Sequence, residues 1–141
     1  MFFNISLDTG KTEMLRAVTE GVCYHLRWML ECEDKKVKTS QTIRFVGGGA
    51  LSKVTCQILA DITGRTIETV ESPQNVGSAG AALTAAVGMG AVRSMDEAAK
   101  LITAAAVYRP HEELKEVYDR NYEVFRRLHR SNAKNFAMLN S

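Results

Sequence analysis

The sequence predicts a layered α/β domain. Two short extended stretches each lead into a helical pattern, and longer helical patterns lie before and after this pair. Strands that alternate with amphipathic helices are typical of folds in which helices cover a largely parallel sheet. Eight of the ten glycines lie between Gly47 and Gly90, so the two strand–helix units also contain most of the tight turns.

The first part of the chain is predicted to be extended and then helical. Residues 1–7 are expected to form a strand or the end of one, as if the chain began inside a larger structure. Apolar residues then recur at steps of three and four, which predicts a long helix over about 11–32. Thr9 or Asp8 can cap this helix, and Glu13 lies close to its positive end.

The first strand–helix unit begins with the extended stretch 42–46. Its few polar groups suit a buried strand, as in a parallel sheet. The helix that follows is predicted over about 53–63. Ser52 can cap its start, and Gly64 can end it in a left-handed conformation.

The second strand–helix unit and the remaining elements follow in order. We predict a strand over 66–70, a turn containing Pro73, and a helix over 76–88. Ser94 and Glu97 form a capping box that opens a helix over about 95–103. The remaining segments are an extended connector over 104–109, a C-terminal helix over 111–131, and a frayed segment over the last ten residues.

Composition excludes several classes of protein. The 141 residues are 45% apolar and 24% charged, which is typical of a soluble domain. The net charge of +2 does not favour nucleic acid or an anionic membrane as a partner, and no apolar run reaches the ~20 residues that span a bilayer. Three cysteines without close pairing favour a reducing compartment, so we expect a cytoplasmic protein. The first residues do not resemble a signal peptide.

The run Gly47-Gly48-Gly49-Ala50 is the main candidate site. Successive residues without a Cβ atom allow a flat ring to lie against the main chain, at the junction of a strand and a helix. A tight turn in an ordinary α/β unit explains the run equally well. The run lacks the Gly-Lys-Ser/Thr ending of a Walker loop, and it is not a Gly-x-Gly-x-x-Gly turn. It therefore suits contact with a base or ribose better than contact with phosphates.

The helix predicted over 76–88 is unusually rich in small residues. Glycine inside a helix costs up to ~1 kcal/mol relative to alanine, so Gly77 and Gly80 indicate that something approaches the backbone closely. A neighbouring helix or a ligand would explain this. We interpret the tyrosines and Phe125 near the C-terminus as core or interface packing.

Titratable residues give no catalytic constellation. The three histidines, His25, His111 and His129, have no evident partners in the sequence, and Asp61 is expected to be solvated or to cap a helix end. General acid–base chemistry needs a positioned group with a tuned pKa, and no pattern of this kind is present. No metal-binding spacing is present either.

Five segments together resemble the C-terminal part of the FGGY carbohydrate kinases. These segments are Leu15 to Val22 (the family's Arg-Ala-x-x-Glu-Gly helix), Arg44 to Ser52 (Gly-Gly-Gly-Ala-x-Ser), Gln57 to Gly64 (Gln-x-x-Ala-Asp-x-x-Gly), Asn75 to Ala82 (ending Gly-Ala-Ala), and Tyr108 to Tyr122 (Pro followed by tyrosines). The resemblance runs from about residue 2 to residue 130 and is nearest to xylulokinase-like members.

The resemblance implies a partial actin/hexokinase-like (ribonuclease H-like) ATPase domain with extra C-terminal helices. Residues 1–141 would be the C-terminal portion of the second, ATP-binding domain of the kinase, with the first domain absent. The family transfers the γ-phosphate of Mg-ATP to a hydroxyl of a ketose or polyol. The expected cofactors are therefore ATP and Mg²⁺, and the sugar would bind mainly to the first domain.

The resemblance also implies the nucleotide-binding residues. Gly48, Gly49 and Ala50 would flank the adenosine, with Gly47 and Lys53 completing the loop. Lys53 stands where glycerol-kinase-like members often have an asparagine. No catalytic residue is expected in this chain, because the general base and the phosphate loops would precede it. We therefore expect the isolated chain to be inactive.

Two alternatives remain open. The chain could be a non-catalytic nucleotide-binding or oligomerisation module of the same fold, and a homo-oligomer is expected in either case. A general dinucleotide-binding domain is disfavoured, because the sequence lacks a Gly-x-Gly-x-x-Gly turn with an acidic residue after a second strand at the expected distance from that turn.

Overall fold

The structure, a computed structural model, describes residues 2–140. This part of the chain contains six α-helices and three strands. In order they are α1 (Lys11–Asp34), β1 (Thr42–Arg44), α2 (Lys53–Thr63), β2 (Thr66–Val70), α3 (Val76–Gly88), α4 (Met95–Lys100), β3 (Ala104–Tyr108), α5 (Lys115–Ser131) and α6 (Ala133–Leu139). Single turns of 3₁₀-helix lie at Gly48–Leu51, Pro73–Asn75 and Glu112–Leu114.

The chain divides into two compact units. One unit contains the residues up to Thr39, the segment Asp61–Gly64 and the residues from His111 onward. The other contains Ser40–Ala60 and Arg65–Pro110, and therefore the sheet, α3, α4 and most of α2.

A three-stranded sheet of order β1-β2-β3 organises the second unit. β1 runs parallel to β2, with Thr42 opposite Thr66, and β3 runs antiparallel to β2, with Ile67 opposite Tyr108. The central strand is the most buried, because it has neighbours on both sides. The buried apolar side chains of this unit come mainly from α2 and β2: Cys56, Ile58, Leu59, Ala60, Ile67 and Val70.

The first unit is built on the contact between α1 and α5. The ring of Tyr24 lies 6.3 Å from Tyr118, 6.0 Å from Tyr122 and 5.6 Å from Phe125, measured between ring centroids. Aromatic pairs at these distances contribute beyond the area that they bury. The prediction that the α5 aromatic series is packing rather than a cofactor site is therefore confirmed for Tyr118, Tyr122 and Phe125.

Several polar side chains at the α1–α5 contact pair with one another. Arg27 donates from Nη1 to Asp119 (2.7 Å) and to the carbonyl oxygen of Ile62 (3.0 Å), and its guanidinium lies over the Tyr122 ring. The Tyr122 hydroxyl donates to Glu31 at 2.8 Å. Burial, followed by the hydrogen bond to the Glu31 carboxylate, raises the pKa of Tyr122 to about 12.

The central strand–helix predictions are confirmed with small shifts. β2 and α3 have the predicted bounds, and α2 covers the predicted range. The Ser52 hydroxyl accepts a hydrogen bond from the Thr55 amide (3.2 Å), which is the expected N-cap geometry. Gly64 has a φ of +65°, the left-handed conformation expected at a helix end.

The predicted N-terminal strand is wrong for residues 2–7, while residue 1 lies outside the described part. Asn4 has a φ of +61°, which interrupts an extended chain. Ser6 and Thr9 then close a turn: the Thr9 amide donates to the Ser6 carbonyl oxygen (3.2 Å), and the Ser6 amide donates to the Thr9 hydroxyl (3.0 Å). The helix cap was also misassigned. Gly10 is the N-cap residue of α1, and its amide donates to the Glu13 carboxylate at 3.1 Å.

Three further predictions need correction. β1 ends at Arg44 and is not buried, because it is an edge strand in this chain. The segment predicted as a connector forms strand β3, since β2 supplies its hydrogen-bonding partner. Most of the C-terminal segment predicted to be frayed is helix α6, while residue 141 lies outside the described part.

The bounds of two predicted helices also change. The C-terminal helix predicted from residue 111 begins at Lys115, after the 3₁₀ turn Glu112–Leu114. The helix predicted to reach 103 ends at Lys100.

Candidate functional site

The glycine loop leaves the carboxyl end of β1. The Phe45 amide donates to the backbone carbonyl oxygen of Glu68 on β2 (2.8 Å). Two residues later, the Gly47 amide donates to the carbonyl oxygen of Pro73 (2.8 Å). Gly47 has φ +90° and ψ −175°, a conformation that is almost confined to glycine. The loop is therefore tied to the segment that follows β2. The carboxyl ends of parallel strands are the usual ligand edge of an α/β sheet.

The centre of the loop is open to solvent. Gly48 and Gly49 are exposed, and a Cβ atom added at Gly48 would meet nothing within 4 Å. No group within residues 2–140 accepts a hydrogen bond from the backbone N–H of Gly48 or Gly49. Two backbone donors and a flat glycine surface are thus available at this position. Gly49 has a further reason to be glycine, because a Cβ atom there would lie 3.0 Å from the Phe45 ring.

The end of the loop is anchored in the core. Ala50 is buried, and its carbonyl oxygen accepts a hydrogen bond from the Cys56 thiol at 3.6 Å. Burial raises the pKa of that thiol, so Cys56 is a neutral packing group and not a nucleophile. Lys53, the first residue of α2, is exposed beside the loop. The five sequence-predicted residues therefore form one loop, with Gly48, Gly49 and Lys53 facing solvent.

A small cavity lies beside the segment that follows β2. It has a volume of about 210 Å³ and is lined by Val70, Glu71, Ser72, Asn75, Val76, Ala79, Leu101, Ile102 and Thr103. The sequence marked this segment only as a polar turn. The sequence feature that could have indicated this cavity is the group of polar residues directly after β2. They follow the same end of the parallel strands as the glycine loop.

The small-residue helix α3 has neighbours but leaves its glycines open. It packs against α4 and the 3₁₀ turn Pro73–Asn75, although none of its residues is fully buried. Cβ atoms added at Gly77 or Gly80 would meet nothing within 4 Å. The prediction that something approaches these glycines closely is therefore not fulfilled by any described residue.

Asp61 and His111 correct the sequence interpretation of the titratable residues. The Asp61 side chain is 4% exposed, and its Oδ1 accepts a hydrogen bond from the His111 amide at 2.9 Å. His111 Nδ1 lies 3.0 Å from the same oxygen, so Nδ1 carries the proton that it donates. Asp61 is thus a buried positioning group for the segment before α5, and His111 has a partner. His129 packs against Trp28 and Phe136.

No metal centre is formed by the described residues. No group of three or more His, Cys, Asp or Glu side chains within residues 2–140 is placed to hold a metal ion. Cys23 and Cys56 are buried and Cys32 is exposed, and none of the three forms a disulfide within residues 2–140. The helices in this part of the chain are all too short or too polar to cross a membrane.

Comparison with known proteins decides the family. The model of the FGGY family of carbohydrate kinases, C-terminal domain, matches residues 1–89, well over half of the chain. The chain belongs to the FGGY carbohydrate kinases.

Individual FGGY relatives match most of this chain. The xylulose kinase of Staphylococcus epidermidis is 28% identical over 130 residues, which are 92% of this chain and 26% of that protein. The Escherichia coli xylulose kinase is 31% identical over 130 residues, 92% of this chain and 27% of that protein. The crystal structure of xylulose kinase from Rhodospirillum rubrum is 27% identical and superposes with a TM-score of 0.82. The alignment covers 97% of this chain and 28% of the Rhodospirillum rubrum chain.

The match defines the fold and its extent. The mixed α/β arrangement is that of the C-terminal domain of FGGY kinases, so the predicted family and the predicted actin-like ATPase fold are both confirmed. The chain spans about a quarter of the length of these relatives.

Several residues of the FGGY motifs have structural roles here. Arg16 donates to Glu20 (2.8 Å) and to the Tyr118 hydroxyl (2.9 Å), and that hydroxyl donates to Glu20 at 3.3 Å. These hydrogen bonds join α1 to α5. Gln57 and Asp61 lie one turn apart on α2, and Gln57 donates to the carbonyl oxygen of Arg109 at 2.8 Å. The exposed glycine loop is the motif that such packing does not explain.

Proposed function

We propose that this chain forms the adenosine-binding side of an ATP-dependent FGGY sugar kinase. The parent reaction transfers the γ-phosphate of ATP to a hydroxyl of a ketose or polyol such as xylulose. The observation that carries the proposal is the uncovered backbone of Gly48 and Gly49 at the carboxyl edge of β1 and β2. The names of the relatives, xylulose kinases among them, support the substrate class.

The loop suits a nucleoside better than a triphosphate. Two free amides and the absence of side chains allow an adenine ring or ribose to lie on the main chain. Leu51 (62% exposed) and Val54 (68% exposed) flank the loop and offer apolar contact to a base. Lys53 lies three residues after Ala50, and its side chain is long enough to reach a ribose or phosphate oxygen.

The chemical step needs groups that residues 2–140 do not assemble. Phosphoryl transfer depends on positioning and on neutralising the charge of the transferred phosphate. Mg²⁺ would reach the site with the nucleotide phosphates, since the described side chains form no metal cluster that fits it. We therefore propose that the sugar, the general base and the phosphate loops are supplied by another part of the kinase, which acts in the cytoplasm.

The first experiment measures catalysis by the isolated chain. A coupled assay of ADP release, with Mg-ATP and a panel of ketoses and polyols, should show no turnover above the background rate. Sugar-dependent turnover at ordinary kinase rates, about 1–100 per second, would show that this polypeptide contains the chemistry and would contradict the proposal.

The second experiment locates the nucleotide. Titration of the ¹⁵N-labelled chain with ADP should shift the amide signals of residues 47–53 at millimolar concentrations. Gly48→Leu fills the glycine surface and should remove these shifts. Gly88→Leu, at another exposed glycine with open space around its Cβ position, should retain them. Shifts confined to other segments would place the nucleotide elsewhere.

A second candidate function is a non-catalytic module that binds nucleotide or assembles with itself. The many exposed apolar side chains, among them Leu15, Val18 and Val22, favour this alternative. Analytical ultracentrifugation separates the two candidates. A stable homo-oligomer that binds ADP with micromolar affinity would favour the module.

A further inference from the structure

Phe45 and Gly49 contact each other across the turn of the candidate loop. Phe45 follows β1 directly, and Gly49 comes four residues later, after the turn at Gly47. A Cβ atom added at Gly49 would lie 3.0 Å from Cζ of the Phe45 ring and 3.5 Å from Cε1. Apart from the adjacent residues, no other side chain of residues 2–140 comes within 4 Å of that position. The ring therefore occupies the space that a side chain at position 49 would take.

The root of the Phe45 side chain is fixed to the sheet. The Phe45 amide donates to the backbone carbonyl oxygen of Glu68 on β2, and the side chain is half-buried. The two ends of the loop are held in other ways, since the Gly47 amide is hydrogen-bonded and Ala50 is buried. The Phe45 ring is thus the side chain that connects the middle of the loop, at Gly49, to the sheet.

Gly48 and Gly49 differ in what lies beside them. The position that a Cβ atom would occupy at Gly48 is empty, whereas the corresponding position at Gly49 is filled by the ring. Glycine at position 49 is therefore required by packing against Phe45. Nothing within residues 2–140 imposes the same requirement at position 48. The surface on which a ligand can lie against the main chain is centred on Gly48, and the ring supports it at the next residue.

A support at this point affects binding because glycine loses more conformational freedom on ordering than any other residue. Fixing the backbone of one residue costs free energy equivalent to about a five- to thirtyfold change in an equilibrium constant. A loop that is already held in the binding conformation spares the ligand this cost. The backbone N–H groups of Gly48 and Gly49 bond to no group within residues 2–140, so they do not order this part of the loop.

We propose that Phe45 is the positioning residue of the glycine loop. Its ring packs against Gly49 and fixes the Gly48–Gly49 backbone in the conformation that receives a nucleoside. The glycine at position 49 serves the ring, and the glycine at position 48 serves the ligand. The role in binding rests on the proposed function, whereas the support of the loop by the ring is measured without nucleotide.

The first measurement is the mobility of the loop without ligand. In the ¹⁵N-labelled chain, the order parameters of the Gly48 and Gly49 amides should be near the value of rigid backbone, about 0.85. Phe45→Leu removes the ring but keeps an apolar side chain, and it should lower both order parameters below about 0.6. Phe136→Leu, which removes an exposed ring from α6, should leave them unchanged. Phe45→Met serves where Phe45→Leu does not fold.

The second measurement is the rescue of a substitution at position 49. Gly49→Ala places a methyl group 3.0 Å from the ring. Overpacking of this kind should lower Tm by about 3 °C or more. In the Phe45→Leu background the ring is gone, so Gly49→Ala should lower Tm by less than about 1 °C. Gly48→Ala is the matched control with free space, and it should leave Tm unchanged in both backgrounds.

The third measurement is the affinity for ADP, followed through the amide signals of residues 47–53. Phe45→Leu should raise the Kd for ADP at least about fivefold, because the ligand must then order the loop. Phe136→Leu should bind ADP as the wild-type chain does.

Three outcomes separate the support of the loop from the nucleotide site. Equal order parameters in the wild-type chain and Phe45→Leu, or an equal cost of Gly49→Ala in both backgrounds, would overturn the support of the loop by the ring. An unchanged ADP affinity in Phe45→Leu despite a mobile loop would overturn the positioning role in binding. An ordered loop and the expected rescue, without ADP shifts in the wild-type chain, would contradict the proposed function and keep Phe45 as the support of the loop.

Discussion

Gly47 sets the path of the candidate loop through its backbone conformation. With φ +90° and ψ −175°, it occupies a region that costs other residues about 1–3 kcal/mol. Its amide is also bonded to Pro73, so the loop cannot relax without losing that hydrogen bond. We expect Gly47→Ala to lower the free energy of unfolding by about 1–3 kcal/mol in urea titrations. Gly48→Ala, next in sequence with free space and an ordinary φ, should change it by less than about 0.5 kcal/mol. Equal effects would mean that the loop has a different conformation in solution.

Asp61 shows how a single buried carboxylate positions a distant segment. Replacing it with alanine removes the carboxylate that accepts hydrogen bonds from the His111 amide and from His111 Nδ1. We expect Asp61→Ala to destabilise the chain by about 2–3 kcal/mol in urea titrations. Asp61→Asn keeps one acceptor oxygen and should cost roughly half as much. An alanine variant as stable as the wild type would show that this contact is not formed.

At the residue scale, local signals were readable and distant ones were not. Ser52 and Gly64 were predicted because capping depends on neighbours within a few residues. The partnership of Asp61 with His111 spans 50 residues, so no local pattern could reveal it. The glycine loop was located from sequence, but only the structure shows that Gly48 is open while Gly49 is restricted by Phe45.

At the scale of elements, period and turn chemistry located the helices well and the strands less well. α1, α2 and α3 carry periodic patterns or terminal signals within their own residues. The sequence alone predicts a connector at β3, because the identity of this strand depends on pairing with β2, nearly 40 residues earlier. The apolar residues before α1 predict a strand there, but no strand of residues 2–140 pairs with that segment.

The α1–α5 contact contributes stability that is lost when the pH becomes strongly alkaline. The pKa of Tyr122 is raised to about 12 by burial and by the adjacent Glu31 carboxylate, against about 10 in an unfolded chain. Burial and neighbouring carboxylates also raise the pKa of Tyr24 and of Tyr118. The unfolded state therefore loses its tyrosine protons first. The stability from Tyr122 is fully present below pH 10 and is lost as the pH rises towards 12.

We expect the free energy of unfolding to fall by about 2 kcal/mol between pH 10 and pH 12 from Tyr122 alone. Urea titrations across this range measure the fall. Tyr122→Phe, which cannot ionise, should start from a lower stability and show a shallower decline. A decline of the same slope in both proteins would assign the effect to other groups.

At the scale of the whole molecule, both units expose large apolar side chains, such as Val18 and Val22 in one unit and Leu51 and Val54 in the other. The sequence predicted the family and the fold, because motif spacing survives at about 30% identity. It could not show that the periodic residues of α1 face solvent in this chain, since periodicity identifies an apolar face without identifying its cover. The same limit applies to α3, whose glycines indicated a close neighbour that residues 2–140 do not contain.

The exposed apolar side chains Leu15, Val18, Val22 and Met29, which we call the outer face of α1, predict how the isolated chain behaves in solution. The dye 8-anilinonaphthalene-1-sulfonate binds exposed apolar clusters, so its fluorescence should rise with the folded chain present. Val18→Ser/Val22→Ser should reduce that rise, while Val37→Ser should not.

A molten globule also binds the dye, but it loses its near-ultraviolet circular dichroism. Trp28 packs edge-on against His129 at 5.0 Å, so the folded chain should keep a near-ultraviolet signal while it binds the dye. A native near-ultraviolet signal without dye binding would mean that the outer face is already covered in solution. The concentration dependence of the sedimentation coefficient would then show whether a second copy covers it.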